Sequence, residues 1–127
     1  MKTDRQILIT GALLGFAGVA LGAFGAHALK ALLTANGRVD TYELAVRYQF
    51  YHGLALLIVG AIMPRFNTSQ LKISARLFLG GIVLFSGSLY VLALTSVTIV
   101  AFVTPVGGVL LLAGWAFFVA GLVKESK

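Results

Sequence analysis

The chain has 127 residues, of which 59% are hydrophobic and 11% charged, whereas soluble domains carry roughly 25% charged residues, so a water-soluble globular fold is excluded. It contains no cysteine, which excludes thiolate chemistry, and its two histidines and four acidic residues leave little for a metal cluster, so no cofactor is expected. The net charge of +6 is typical of basic residues that flank membrane spans, so membrane lipids, and not nucleic acid, are the expected partners.

Four apolar stretches are long enough to cross a bilayer core of about 30 Å as helices. We predict one all-α membrane domain, a four-transmembrane-helix bundle, with spans at about 7–29, 44–63, 73–94 and 99–123. A polar outer loop is predicted at 30–40 and an inner loop at 64–72, where Pro64 closes the second span. The first stretch is longer than the 7–15 apolar residues typical of a cleaved signal peptide.

Five glycines repeat along the first span at alternating steps of four and three: Gly11, Gly15, Gly18, Gly22 and Gly25. A helix of 3.6 residues per turn places them in one stripe, along which another backbone can approach closely. We therefore expect the first helix to be an inner helix of the bundle. The stripe fits packing within the bundle or packing between subunits of a homo-oligomer.

The second span starts with acidic residues and carries polar residues further along. Asp40 and Glu43 have the spacing of a capping box, so we predict that Asp40 caps this helix. Tyr48 and His52 are four residues apart and share a helix face, with Gln49 beside them.

The third and fourth spans combine hydroxyl groups with small residues at a spacing of seven. The glycines are Gly80 and Gly87 in the third span and Gly107, Gly114 and Gly121 in the fourth. A period of seven is typical of a left-handed, coiled-coil-like bundle. Thr104 precedes Pro105, so the fourth helix is predicted to begin at Pro105 with Thr104 as its cap, or to be kinked there.

We predict that polar side chains of the four spans form a cluster that leans toward the outer side. Its members are His27, Tyr48, Gln49, His52, Ser86, Ser88, Tyr90 and Thr104. Tyr48 and Gln49 are the expected partners of His27. His52 lies about 10 Å deeper than the start of its span and is expected to reach Ser86, Ser88 or Tyr90 of the third span. Polar side chains within spans either serve a function or form hydrogen bonds that hold helices together, and both interpretations stay open.

Basic residues are distributed unevenly between the two sides of the predicted bundle. An even number of spans places both termini on one side, together with Lys2, Arg5, Arg65, Lys72, Arg76, Lys124 and Lys127. Lys30 and Arg38 lie on the opposite side. Because basic residues accumulate on the cytoplasmic side, both termini are predicted to be cytoplasmic.

Four motifs resemble those of a known family: GAFGAHAL at 22–29, YQFYHGLAL at 48–56, FSGSLY at 85–90, and TPVGG at 104–108 with GW at 114–115. They are similar to the YgdD/YwdK-like small bacterial membrane proteins, labelled domain of unknown function 423. The resemblance implies a four-span protein of the bacterial cytoplasmic membrane. It implies no activity, and no residue is identified as catalytic on that ground.

The leading hypothesis is a non-enzymatic membrane protein. It would bind a lipid or small ligand in the polar cluster, or assemble with itself or a partner. One alternative is a small transporter or channel. The inner halves of the spans contain almost no polar side chains, so its path would lie at an oligomer axis and not within one chain. Another is an intramembrane enzyme with His52 as base and Ser86 or Ser88 as nucleophile, although no acidic residue lies in the spans to orient the histidine.

Overall fold

The computed structural model describes residues 2–66 and 69–124, and all regular structure in these ranges is helical. The elements are α1 (Lys2–Ala26), α2 (Lys30–Asn36), α3 (Val39–Phe66), α4 (Ser69–Thr95), a 3₁₀-helix (Thr98–Phe102) and α5 (Val103–Val123). Helices α1, α3 and α4, and α5 together with the 3₁₀-helix, are each long and apolar enough to cross a membrane. The predicted all-α fold with four spans is confirmed.

The four spans pack as a row. Helix α1 packs on α3, α3 on α4, and α4 on α5, while α3 and α5 make few contacts. Because α1 makes nearly all its interhelix contacts with α3, it lies at the edge of the row, and the prediction of an inner first helix was wrong. The glycine stripe needs only one close neighbour, and the opposite face of α1 carries apolar side chains that lipid can solvate.

The glycines of α1 explain how closely it approaches α3. A Cβ atom at Gly11 would lie 2.8 Å from the Gly53 carbonyl oxygen, and one at Gly18 would lie 3.3 Å from the Phe50 ring. Gly15 and Gly22 have ordinary contacts with α3 at 3.9 and 3.5 Å. The stripe therefore packs within the chain.

Helix α5 approaches α4 in a similar way. A Cβ atom at Gly107 would overlap the Phe85 backbone, and one at Gly114 would lie 2.7 Å from the Phe78 ring. Gly121 is buried, and Gly80 has an ordinary contact at 3.7 Å. Gly87 departs from this pattern, because no neighbouring atom lies within 4 Å of the position its Cβ would take.

At the end of the molecule that holds the termini, the helices are longer than predicted. Helix α3 continues through Pro64 to Phe66, because a proline in the last turn removes only one backbone hydrogen bond. Helix α4 begins at Ser69, so residues 64–66 and 69–72 of the predicted loop are helical, and residues 67 and 68 lie outside the described ranges. Lys127, which contributed to the predicted charge asymmetry, also lies outside them.

At the opposite end, the predicted polar loop contains the short helix α2. It ends at Gly37, whose left-handed backbone (φ 65°) favours glycine. Asn36 Nδ2 donates a hydrogen bond to the Ala93 carbonyl at 3.0 Å, in the last turn of α4, where carbonyls lack helical partners. Asp40 does not precede α3 but lies in its first turn, where a carboxylate favours the helix N-terminus, so the cap prediction was wrong.

The fourth span also starts differently from the prediction. A 3₁₀-helix covers Thr98–Phe102, and α5 begins at Val103. Pro105 is the third residue of α5, where no backbone N–H donor is needed, so the helix need not begin at the proline. Thr104 is inside the helix and is not its cap.

Candidate functional site

Hydrogen bonds from polar side chains tie the spans together, and Gln49 is at their centre. Its Nε2 donates to the Leu14 carbonyl of α1 at 2.9 Å, and its Oε1 accepts from the Tyr90 hydroxyl of α4 at 2.7 Å. The Tyr42 hydroxyl donates to the Leu21 carbonyl of α1 at 2.5 Å. The Tyr42 ring packs edge-on against Tyr90, with centroids 5.4 Å apart. Gln49 alone therefore links three helices.

Hydroxyl groups of α4 make three more interhelical bonds. Ser86 Oγ donates to the Ala45 carbonyl of α3 at 2.7 Å, and Ser74 Oγ donates to the Gly114 carbonyl of α5 at 2.7 Å. Ser88 Oγ lies 2.5 Å from Thr104 Oγ1 of α5. We call these side chains the polar network: Tyr42, Gln49, Ser74, Ser86, Ser88, Tyr90 and Thr104. Throughout the described part of the chain, every buried polar side-chain atom has a hydrogen-bond partner.

His52 makes a separate link between α3 and α5. Its Nε2 lies 3.0 Å from Trp115 Nε1, and its Nδ1 lies 2.8 Å from the Tyr48 carbonyl oxygen. An indole nitrogen only donates, so Nε2 accepts, and the ring proton lies on Nδ1, which donates to the carbonyl. His52 is thus a neutral, buried imidazole with both nitrogens in use.

The structure brings together only part of the predicted cluster. Gln49 bonds Tyr90, and Ser88 meets Thr104. His27 lies exposed in the turn after α1, whereas Gln49 contacts α1 at Leu14, about 20 Å away along the helix, so the expected partnership of His27 was wrong.

His52 does approach α4, where its ring packs against Phe78 with centroids 5.5 Å apart, but the expected contact with the hydroxyl groups of that helix was wrong. Ser86 bonds α3 at Ala45, about 10 Å along the helix from His52, and His52 bonds Trp115. The pairing of His52 with a serine that the enzyme hypothesis needs is therefore not formed.

Sequence reasoning missed Trp115, Tyr42 and Ser74. Trp115 lies near the middle of α5, whereas tryptophan usually places its N–H at a membrane–water interface. This position indicates that its N–H needs a hydrogen-bond acceptor within the protein. Tyr42 and Ser74 bond backbone carbonyls of neighbouring helices. Such bonds leave no sequence signature, because any residue supplies the carbonyl.

An open groove of about 670 Å³ lies between α3 and α5, over α4. Its lining comprises Tyr48, Tyr51, His52, Phe85, Pro105 and Trp115, with small and aliphatic residues of α5 between 108 and 112. We call it the aromatic groove. Tyr48 stacks on Phe85 with centroids 4.6 Å apart, and Trp115 stacks on Phe118 at 5.7 Å, so its walls are rigid rings. The His52–Trp115 bond spans it.

The aromatic groove extends from the first turn of α5, at Pro105, to the middle of α3 and α5. Tyr51 and His52 are at the midpoint of the 28-residue helix α3. Tyr51 is 52% exposed. Neither the Tyr48 nor the Tyr51 hydroxyl forms a hydrogen bond with any residue in 2–66 or 69–124. Even an extended phenol here stays inside the half-core of about 15 Å.

Known proteins similar to this chain are membrane proteins. The profile of a family described as "Protein of unknown function (DUF423)" matches residues 21–108. A UPF0382 membrane protein of Staphylococcus saprophyticus is 45% identical over 120 residues, covering 94% of this chain and 98% of the relative. The UPF0382 inner membrane protein YgdD of Escherichia coli K12 is 44% identical over 125 residues, covering 98% and 95%. No solved structure matches the chain with significance.

Proposed function

We propose that this chain, which belongs to the UPF0382 (DUF423) family of membrane proteins of unknown function, binds an uncharged amphiphile in the aromatic groove. The ligand has an apolar body that fills the groove and an oxygen atom that accepts hydrogen bonds. The observation that carries the proposal is the pair of tyrosine hydroxyls, Tyr48 and Tyr51, that lie without a protein partner at the depth of the hydrocarbon core.

A hydroxyl in hydrocarbon without a hydrogen-bond partner costs about 1–3 kcal/mol by protein mutational data. Elsewhere in the described spans, buried polar atoms avoid this cost by bonding neighbouring helices. Tyr48 and Tyr51 line a groove instead, and the hydrocarbon core of a bilayer offers no water to their hydroxyls. A ligand with an acceptor oxygen satisfies them.

The lining of the groove supports an uncharged ligand. Its described residues include no charged side chain, and His52 is neutral because its Nε2 accepts the hydrogen bond from the Trp115 N–H and so carries no proton. A volume of about 670 Å³ lies within the roughly 300–1,000 Å³ typical of small-molecule sites.

The proposed site differs from the cluster that the sequence predicted. The polar network uses its groups to join helices, which supports a structural role for Gln49, Ser86, Ser88, Tyr90 and Thr104. Because these groups are engaged in hydrogen bonds between helices, they support neither a transport path nor catalysis, and neither alternative is proposed.

We also propose that both termini face the cytoplasm. The end of the molecule that holds the termini carries exposed Arg5, Arg65, Lys72, Arg76 and Lys124, whereas Lys30 and Arg38 lie at the other end. In this cysteine-free chain, Ala35→Cys should react with an impermeant maleimide in intact cells and Ser69→Cys only after lysis. The reverse pattern would overturn the orientation.

Native mass spectrometry of the protein, released gently from its own membrane, tests the proposed ligand. We expect a discrete bound mass that is lost in Gly108→Leu, because Gly108 lines the groove and a leucine there would fill it. Gly87→Leu is the matched control, since the same substitution points into space without neighbours and outside the groove. The spectra also report whether the protein is a homo-oligomer.

A second variant separates the hydroxyl from the shape of the groove. Tyr51→Phe removes one oxygen atom and keeps the ring, so it should weaken retention of the bound mass by about tenfold, the equivalent of one hydrogen bond. Wild-type protein without an extra mass, or equal retention in Gly108→Leu and Gly87→Leu, would contradict the proposal.

A further inference from the structure

A second cleft lies at the end of the molecule that holds the termini, between α1 and α4. Its volume is about 260 Å³. Helix α3 forms its floor through Leu56, and Gln6, Thr10, Lys72, Arg76 and Leu79 are among its lining residues. The cleft exists because α1 and α4 both pack on α3 without packing closely on each other. It shares no lining residue with the aromatic groove.

The cleft is basic near its mouth and apolar further in. Lys72 and Arg76 are four residues apart and therefore on one face of α4, in its first turns, and both are exposed. Gln6 and Thr10 provide polar groups from α1. Leu56 and Leu79 lie deeper in the membrane, and no acidic side chain is among the described residues that line the cleft.

We propose that this cleft binds an anionic phospholipid from the leaflet that faces the termini. Lys72 and Arg76 contact the phosphate of the headgroup, and the start of an acyl chain lies on Leu56 and Leu79. The depth supports a lipid: α4 begins at Ser69, so Lys72 lies about 5 Å and Arg76 about 10 Å along the helix, which is the level of headgroups and their linkages.

A lipid fits this cleft better than a soluble anion does. A soluble phosphate ester would use the two cations but would leave the exposed part of Leu79 uncovered, since Leu56 is already buried. A zwitterionic lipid would cover the floor but carries a positive group that the two cations repel. The combination of two unopposed cations with an apolar floor therefore favours an anionic lipid.

The test is a titration of the detergent-solubilised full chain with dioleoyl phosphatidylglycerol, followed by native mass spectrometry. Each cation near a membrane surface contributes about 1 kcal/mol of binding, so Lys72→Gln with Arg76→Gln should weaken binding about 30-fold. The matched control is Arg65→Gln with Lys124→Gln, which removes two exposed cations from the same end but outside the cleft and should bind like wild type.

Two further arms identify the source of the phosphate. Dioleoyl phosphatidylcholine should bind wild type at least tenfold more weakly than phosphatidylglycerol, and glycerol phosphate should not compete. Lys72→Arg with Arg76→Lys, which keeps both charges, should bind phosphatidylglycerol within about threefold of wild type, and the thermal melts of all variants verify folding. Equal binding of the two lipids, competition by glycerol phosphate, or equal loss in the control pair would overturn the proposal.

The outcome is independent of the aromatic groove. Gly108→Leu fills that groove and should leave the affinity for phosphatidylglycerol unchanged, since Gly108 does not line the cleft. Loss of phosphatidylglycerol binding in Gly108→Leu would place the lipid in the groove and contradict a separate site.

Discussion

The α1–α3 interface and the aromatic groove show two ways in which neighbouring helices can be placed in lipid. At the α1–α3 interface, Gly11 faces Gly53, and the two backbones meet without side chains between them. At the groove, the rings of Tyr48, Phe85 and Trp115 stand between α3 and α5. Both regions are apolar, so residue size, and not hydrophobicity, decides which of the two is closed and which keeps a cavity.

The polar groups follow the same division. At the α1–α3 interface, Tyr42 and Gln49 donate to the carbonyls of Leu21 and Leu14, so α1 is fixed through its backbone. At the groove, α3 and α5 are joined through the side chains of His52 and Trp115. The closed interface therefore uses its polar groups to join helices, whereas the groove leaves the Tyr48 and Tyr51 hydroxyls without a protein partner.

The largest expected effect is at the glycine contact. Gly11→Ala places a Cβ atom 2.8 Å from the Gly53 carbonyl, and backbone atoms cannot yield as a flexible side chain can. Overpacking costs about 1–3 kcal/mol and outweighs the gain in helix propensity of up to about 1 kcal/mol. We expect a net loss of about 1–2 kcal/mol in the free energy of unfolding, measured by denaturation in micelles.

Gly87→Ala is the matched control for this prediction. No neighbouring atom lies within 4 Å of the new Cβ position, so only the helix propensity changes, and the variant should be more stable by up to about 1 kcal/mol. If both variants shifted stability in the same direction, close backbone approach would not be what holds α1 to α3.

The next effect concerns the polar network. Gln49→Leu removes bonds to both α1 and α4, and interhelical bonds in membranes contribute about 0.6 kcal/mol each, so we expect a loss of about 1 kcal/mol. Thr10→Val is the control, because the Thr10 hydroxyl bonds only the Gln6 carbonyl of its own helix. A loss in Thr10→Val equal to that in Gln49→Leu would remove the distinction between bonds within and between helices.

The sequence predicts the closed interface better than the groove. Glycine spacing reveals a packing face, and hydropathy reveals four spans, because both properties repeat along the chain. Neither property indicates which helix packs on a given face, so the order of the four helices in the row, with α1 at its edge, is not predictable from the sequence. Partners such as the Leu14 carbonyl are equally invisible, since every residue carries one.

The aromatic groove depends on a contact between residues 63 positions apart, which no local pattern encodes. The sequence marks His52 as a polar group within a span, but it predicts hydroxyl groups of the third span as its partners. The position of Trp115 in mid-span gives its indole N–H no access to water and is the one signal in the sequence for this donor.

The smallest expected effect on stability is at the bond that spans the groove. His52→Leu removes the acceptor of the Trp115 N–H and should cost about 0.6 kcal/mol. Trp115 is the single tryptophan of the chain, so its fluorescence reports this bond directly. Loss of the hydrogen bond leaves the indole in an apolar setting, and its emission should move to shorter wavelength.

Ser86→Ala, which removes a bond of the polar network elsewhere, should leave the emission unchanged. An unchanged emission in His52→Leu would mean that the bond does not hold α5 beside α3, and the groove would then owe its shape to ring packing alone.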